Sequence, residues 1–153
     1  MGQNGRLNST FDGTLHGQFG EDCSAGDLVG YVQVSNKAVF KKATAAATGQ
    51  IAAIGVCPRD VLAGDWENVR ADVWRLTLSS DLLADELADL EGAQPLYLSA
   101  TTAGAATNVA PSGTGVLLQQ VGIAYIDTAE RRGVAANQPA NAWIVNIQPG
   151  TVL

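Results

Sequence analysis

The sequence predicts an all-β fold, either a barrel or a sandwich, and three observations support this fold class. Short apolar segments alternate with turn residues, glycine accounts for 17 of the 153 residues, and one pattern of residues occurs twice. Short apolar segments between glycine-rich turns are typical of antiparallel β-structure. The chain has the length of one ordinary domain and can bury its own core.

Seven segments have the composition of strands, because apolar residues alternate with polar ones or form short runs between turn residues. The alternation is clearest over 72–78, where Trp74, Leu76 and Leu78 share one face of the predicted strand. The predicted strands are 27–34, 38–42, 50–56, 72–78, 96–99, 116–126 and 142–147.

One segment departs from this pattern and predicts a short helix over 81–90. Leu83, Leu87 and Leu90 follow helical spacing and form an apolar stripe. A serine before the segment can cap its first turn, and a glycine after it can end the helix. The carboxylates on the opposite face are interpreted as a solvated surface rather than as ligands for a cation.

An internal repeat relates residues 25–79 approximately to residues 91–148. The offset between matched residues rises only from 66 to 69 along the alignment. The matched pairs of identical residues include Tyr31 and Tyr97, Gly55 and Gly122, and Trp74 and Trp143. A unit of a few short strands leaves an apolar face and its edges uncovered, so two copies are expected to cover each other. The paired tryptophans are predicted core residues, with a stacking platform for a sugar or base as the alternative.

Residues 1–20 differ from the rest and predict an extended N-terminal arm before a domain at 21–153. The arm is rich in glycine, and its apolar residues are isolated and spaced by four. Glycines disfavour a helix with that spacing. His16, the one histidine of the chain, lies in this arm, where a general base would not be held rigidly.

Charge and composition exclude several classes of function. The net charge is −6 and the pI about 4.5, so nucleic acid is not an expected partner. No apolar stretch reaches the length of a membrane-spanning helix. With one histidine and no phosphate-binding motif, the sequence predicts no catalytic residues, no metal and no cofactor.

The two cysteines, Cys23 and Cys57, match no zinc or redox motif in their spacing. They are interpreted as small buried apolar residues. A disulfide between them remains an alternative, although it would be unusual for a protein assembled in a cytoplasm.

Several short motifs stand out in the two copies. Residues 92–99 read GAQPLYLS, residues 100–111 continue as ATTAGAATNVAP, and residues 121–124 read VGIA, while the first copy contains AGDLV at 25–29. Over residues 22–147 the chain resembles the capsid decoration, or cement, proteins and the related β-domains of head and tail fibres. The resemblance implies a barrel-like all-β domain without catalytic residues.

As a decoration protein, the chain would bind the major capsid protein on the outer head surface after assembly in the host cytoplasm, as a homotrimer that stabilises the head. The predicted capsid contacts lie in the arm, and the candidates are Arg6, Leu7, Phe11, Leu15 and Phe19. The alternative is a fibre or spike subunit with a role in host adhesion. Trp66 lies outside the matched pairs and is the candidate for a surface aromatic residue in that case.

Overall fold

The computed structural model describes residues 13–72, 74–76, 93–125 and 141–153. The described residues form strands, turns and loops without a helix, so the predicted all-β class is confirmed. The helix predicted over 81–90 lies outside the described residues.

Twelve strands make up the described part of the fold. The first six are β1 Thr14–Gln18, β2 Leu28–Val34, β3 Lys37–Lys42, β4 Gly55–Val56, β5 Trp66–Arg70 and β6 Trp74–Leu76. The other six are β7 Ala93–Leu98, β8 Ala106–Thr107, β9 Leu117–Leu118, β10 Gln120–Tyr125, β11 Asn141–Ile144 and β12 Thr151–Val152.

Ten of these strands form two five-stranded antiparallel sheets with the same strand order. The first sheet has the order β1-β5-β4-β2-β3, and the second has the order β6-β11-β10-β7-β8. In each sheet the first strand along the chain lies at one edge beside the last strand. β12 pairs with β9 in a separate two-stranded sheet. The two large sheets thus repeat one topology, and neither closes into a barrel through its described strands.

Two glycines that match in the repeat occupy equivalent places in the two sheets. Gly55 of β4 pairs with Val29 of β2, and Gly122 of β10 pairs with Leu96 of β7. A Cβ on Gly55 would lie 2.4 Å from the side chain of Val69, so this position leaves no room for a side chain. The register between β7 and β10 shifts just before Gly122, as at a β-bulge.

The strand order divides the repeat differently from the sequence alignment. The aligned segments around Trp74 and Trp143 lie side by side as β6 and β11, with Ile144 opposite Trp74. β6 is the first strand of the second sheet and occupies the place that β1 has in the first. The topologically equivalent units therefore begin at β1 and β6. The side chains of both tryptophans lie outside the described residues.

The larger core contains buried apolar residues from both large sheets, from β9 and from the loops. Its members are Leu28, Ala43, Ala45, Ala53, Val56, Leu96, Leu98, Ala106, Val116, Leu117, Val121, Ala124 and Ile144. Backbone bonds join the same parts of the chain, since the N–H of Ala45 donates to Ser99 at 2.9 Å and the N–H of Leu117 donates to Ala45 at 3.0 Å. The two copies are therefore packed together around shared apolar residues.

A second core cluster belongs to the first sheet and the loops around it. Its buried members are Phe19, Cys23, Val29, Phe40, Cys57, Val61 and Val69. Phe40 is fully buried, with its ring 5.3 Å from that of Phe19 and 4.5 Å from that of Tyr31. A Cβ on Gly17 would lie 2.6 Å from the Phe40 ring, so the glycine provides the space that this ring fills. A parallel bridge between Phe19 and Phe40 connects the end of β1 to β3.

Four described strands were not predicted from the sequence, and two of them shape the first sheet. β1 falls in the predicted arm, where Gly17 interrupts the apolar pattern for the packing reason just given. β5 contains four polar or exposed positions and one buried residue, Val69, because its outer face is open to solvent. A strand with a single core contact carries little of the apolar alternation on which the prediction relied. β8 and β12 have two residues each.

Candidate functional site

The outer face of β1 and β5 carries a cluster of exposed polar and aromatic side chains. The antiparallel register sets His16 opposite Asn68 and Gln18 opposite Trp66. Directly opposed residues of a sheet project to the same side, so these four share one face. The adjacent opposed pair, Leu15 and Val69, projects to the other side and packs in the second core cluster. The four outer residues are called here the β1–β5 platform.

An aromatic stack lies at the centre of the β1–β5 platform. The His16 and Trp66 rings lie 5.5 Å apart with an angle of 26° between their planes. His16 Nδ1 lies 2.9 Å from Asn68 Oδ1, and in the neutral imidazole this contact places the proton on Nδ1 and leaves Nε2 as an acceptor. Gln18 Nε2 donates to the carbonyl of Gly64 at 2.8 Å. Three of the four side chains thus make hydrogen bonds to neighbours, and the fourth, Trp66, stacks against His16.

Trp66 is the most exposed aromatic residue among the described ones, at 61%. Large aromatic side chains bury much surface when they bind, so an exposed, oriented indole is a feature of binding surfaces. The turn before it is anchored, since the N–H of Phe19 donates to Asp65 at 2.9 Å and the N–H of Gly64 donates to Phe19 at 2.8 Å. The ring is therefore presented from a fixed backbone.

Two carboxylates flank Trp66 in the sequence, and one of them is ion-paired. Asp65 and Glu67 flank Trp66 in the sequence, and Glu67 forms an ion pair with Arg59. The N–H of Asn68 and then the Arg59 side chain hold the pKa of Glu67 below its ordinary value. Glu67 is consequently ionised at neutral pH.

The structure separates the predicted contact residues into three groups. Arg6, Leu7 and Phe11 lie outside the described residues. Leu15 is half-buried against the second core cluster, and Phe19 is 1% exposed within it. The Phe19 ring is thus a core residue of this fold and has no free surface for a partner. Trp66 lies at the surface.

Three residues of the platform were missed from the sequence, namely His16, Gln18 and Asn68. A signal was present, because Leu15, Gly17 and Phe19 alternate with polar residues at the strand period of two. This alternation was not recognised, because the apolar residues of the whole arm are spaced by four. The partner strand gave no comparable signal, so the proximity of His16 to Trp66 followed only from the fold.

A cavity of about 420 Å³ lies between the two copies, lined in part by Ile54, Gln119 and Pro149. The amide of Gln119 is 2% exposed and fully engaged there. Its oxygen accepts from the N–H of Ala53 at 2.8 Å, and its nitrogen donates to the carbonyls of Ala53 at 2.9 Å and Gln148 at 2.8 Å. These hydrogen bonds connect Gln119 to Ala53 of the first copy and to Gln148, and they occupy both the oxygen and the nitrogen of its amide.

Across the described ranges, no group of three or more His, Cys, Asp or Glu residues is placed to hold a metal ion. Both cysteines are buried free thiols, and Cys57 Sγ donates to the carbonyl of Arg59 at 3.0 Å. Burial raises the pKa of Cys23 to about 12 and that of Cys57 to about 11.

The raised pKa values predict thiols that resist alkylation in the folded protein. Because the thiolate is the reactive form, iodoacetamide at pH 8 should modify Cys23 and Cys57 at least about a hundredfold more slowly than free cysteine. Mass spectrometry of timed samples measures this rate, and the same chain in concentrated urea is the control. Rapid modification of the folded chain would contradict the buried placement of both thiols.

The same thiols predict a loss of stability at alkaline pH. The folded state keeps its protons to a higher pH than the unfolded state, so this contribution is complete below the ordinary thiol pKa of 9.0. It is lost as pH rises from there toward about 11 and 12. Urea titrations of the native chain and of Cys23→Ala between pH 8 and pH 10 should show a smaller decline in the variant. Parallel declines in both proteins would contradict this assignment.

The sequence matches no protein-family model, and a search of curated proteins gives no match. In the portion of the chain that the structure describes, no helix is long and apolar enough to cross a membrane.

Proposed function

We propose that this chain is a structural protein of a phage particle that binds the outer surface of the capsid and stabilises the head without catalysing a reaction. The resemblance of residues 22–147 to decoration proteins suggests this role. The proposal is supported by the all-β fold with its duplicated five-stranded topology. In this proposal the two sheets pack as a barrel-like or sandwich-like unit, and three copies assemble on the capsid.

The position of β1 is the observation that carries the proposal. β1 is the edge strand of the first sheet, and residues 1–12 of the predicted arm precede it in the chain. An arm that continues from an edge strand can leave the domain without disrupting its core. Extended segments bind partners by adding a strand to an exposed sheet edge, where backbone hydrogen bonds supply affinity.

The arm contacts in this proposal are Arg6, Leu7 and Phe11. Leu15 and Phe19 are no longer included, because their side chains pack in the second core cluster. Several arms per oligomer would bind neighbouring coat subunits together and convert weak single contacts into a stable attachment. The acidic character of the chain suits a capsid exterior that carries basic patches.

Deleting residues 1–12 should abolish binding to purified capsids and leave the domain folded. The deletion ends before Thr14, because β1 contributes five residues to the first sheet and its loss would expose the second core cluster. Co-sedimentation with capsids that lack this protein measures binding, and thermal unfolding measures the fold. Replacing residues 1–12 by a glycine-serine segment of equal length is the matched control for arm length. Unchanged co-sedimentation of the deleted chain would remove the arm from the proposal.

A fibre or spike subunit with a role in host adhesion is the second candidate, and the exposed Trp66 favours it. The two functions differ in copy number. A decoration protein occurs at many symmetry-related positions on the head, whereas a fibre or spike occurs in few copies. Quantitative mass spectrometry of whole particles, calibrated on the major capsid protein, distinguishes them.

A further inference from the structure

We propose that the β1–β5 platform binds a neutral hexopyranose, with the sugar ring stacked on Trp66. This role is separate from capsid attachment through the arm and is tested on the isolated chain. Three features of the platform support this role: the exposed indole, the polar groups beside it and the local charge.

Trp66 provides a flat apolar surface that is already oriented. The imidazole of His16 covers part of the indole at a ring separation of 5.5 Å, while 61% of Trp66 remains exposed. One side of a hexopyranose presents several C–H groups, which gain free energy when they leave water against an aromatic ring. Because the stack with His16 holds the indole in place, little side-chain entropy is lost on binding.

The amide side chains provide partners for sugar hydroxyls. Asn68 uses its oxygen toward His16 and Gln18 uses its nitrogen toward Gly64. The Asn68 nitrogen is then a donor and the Gln18 oxygen an acceptor, and both belong to the same exposed face as Trp66. A sugar hydroxyl both donates and accepts, so this mixture of neutral groups matches it. Few polar groups around an apolar surface are typical of small-molecule sites.

The local charge selects neutral sugars over acidic ones. Asp65 precedes Trp66 in the sequence and the whole chain carries a net charge of −6, whereas the charge of Glu67 is paired with Arg59. Uronic acids, sialic acids and phosphate-bearing chains would be repelled from this surface. The proposed ligand is therefore an uncharged glucose-like or galactose-like residue of a cell-surface or particle-bound glycan.

Saturation-transfer NMR and intrinsic tryptophan fluorescence of the full chain test the proposal. The probes are methyl β-D-glucopyranoside and methyl β-D-galactopyranoside, with glucuronate as the charged comparison. Saturation should reach the ring protons of at least one neutral sugar and not those of glucuronate. Trp66→Ala should lower the affinity by about tenfold or more, and Asn68→Ala should lower it severalfold. Trp66→Phe keeps an aromatic ring and should retain part of the binding.

Val109→Ala is the matched control, because Val109 is 59% exposed and lies in the second copy, away from the platform in the sequence. It should leave sugar binding unchanged. Circular dichroism confirms that each variant remains folded, as expected for exposed positions. The proposal is overturned if neither neutral sugar shows saturation transfer, if Trp66→Ala binds as well as the native chain, or if glucuronate binds best. Loss of capsid attachment in Trp66→Ala without any sugar binding would reassign the platform to a protein partner.

Discussion

Replacing Gln119 by glutamate is expected to destabilise the protein by about 3 kcal/mol or more at neutral pH. The change preserves the size of the side chain and the oxygen that accepts from Ala53. It replaces the nitrogen that donates to the carbonyls of Ala53 and Gln148 by a second oxygen. At 2% exposure, a carboxylate would face two carbonyl oxygens with little access to water.

The Gln119→Glu variant should also acquire a specific pH dependence. Burial and the adjacent carbonyls raise the folded-state pKa of the new carboxyl above its unfolded value, which lies near about 4.3. The free energy of unfolding of the variant is therefore closest to that of the native chain at pH values below the unfolded-state pKa, where the protonated acid can donate one hydrogen bond. It falls as pH rises through the folded-state pKa. The deficit should grow between pH 4 and pH 7.

Urea unfolding of native and Gln119→Glu proteins across that pH range measures the effect. Gln120→Glu is the matched control, because Gln120 is the adjacent residue in the sequence and is exposed. It should change stability only slightly. Equal stability of Gln119→Glu and the native chain at neutral pH would show that the Ala53 and Gln148 carbonyls find other donors. The Gln119 hydrogen bonds would then contribute less to holding the two copies together than their lengths indicate.

Replacing Phe40 by alanine is the second change with a large expected effect, a loss of about 3–5 kcal/mol. The ring is fully buried, packs against Phe19 and Tyr31, and fills the space above Gly17. The β1 residue that faces the ring is Gly17, which has no side chain to fill the vacated volume. The cavity term therefore adds to the lost apolar burial.

Equilibrium unfolding measures the effect of Phe40→Ala, with Val34→Ala on the paired strand β2 as the control. Val34 is 44% exposed and should contribute little. Native-state hydrogen exchange adds a local readout, since the N–H of Gly20 donates to the carbonyl of Phe40 at 2.8 Å. Its protection should fall before that of Ile54, whose N–H donates to Val29 at 2.9 Å. A stability change below about 1 kcal/mol would mean that the cluster repacks around the missing ring.

These two residues stabilise different parts of the molecule. Gln119 joins a loop of the first copy to the second copy and to the C-terminal segment, whereas Phe40 joins β3 to the end of β1. The effects of changing both should be nearly additive, because Gln119 bonds to Ala53 of the larger core whereas Phe40 packs in the second core cluster. The hydrogen bonds of Gln119 hold the two similar units together. The packing of Phe40 stabilises the sheet edge that the proposed capsid-binding arm precedes.

The amino-acid sequence by itself determined the fold class and the presence of two similar units. Apolar runs between glycine-rich turns predicted β2 and β3 closely, because both strands of that pair have buried residues at several positions. The match of Gly55 with Gly122 was informative for a related reason. Gly55 lies in β4, which pairs with β2, and Gly122 lies in β10, which pairs with β7. β2 and β7 are each the second strand of their sheet in chain order. Local patterns of this kind reflect burial of individual residues, which a single sequence records.

Only the tertiary structure decided where each copy begins and which residues form a site. β6 joins the second sheet and not the first, because it pairs with β11. This pairing is a contact between residues distant in the chain, which the sequence of β6 alone does not record. His16 and Trp66 are 50 positions apart in the chain, and their stack depends on the register of β1 with β5. Gly17 could be interpreted in sequence as a flexible residue, whereas its role is to admit the Phe40 ring. Pairing and close packing between distant segments leave no periodic trace in either segment, so they emerge only when the chain is folded.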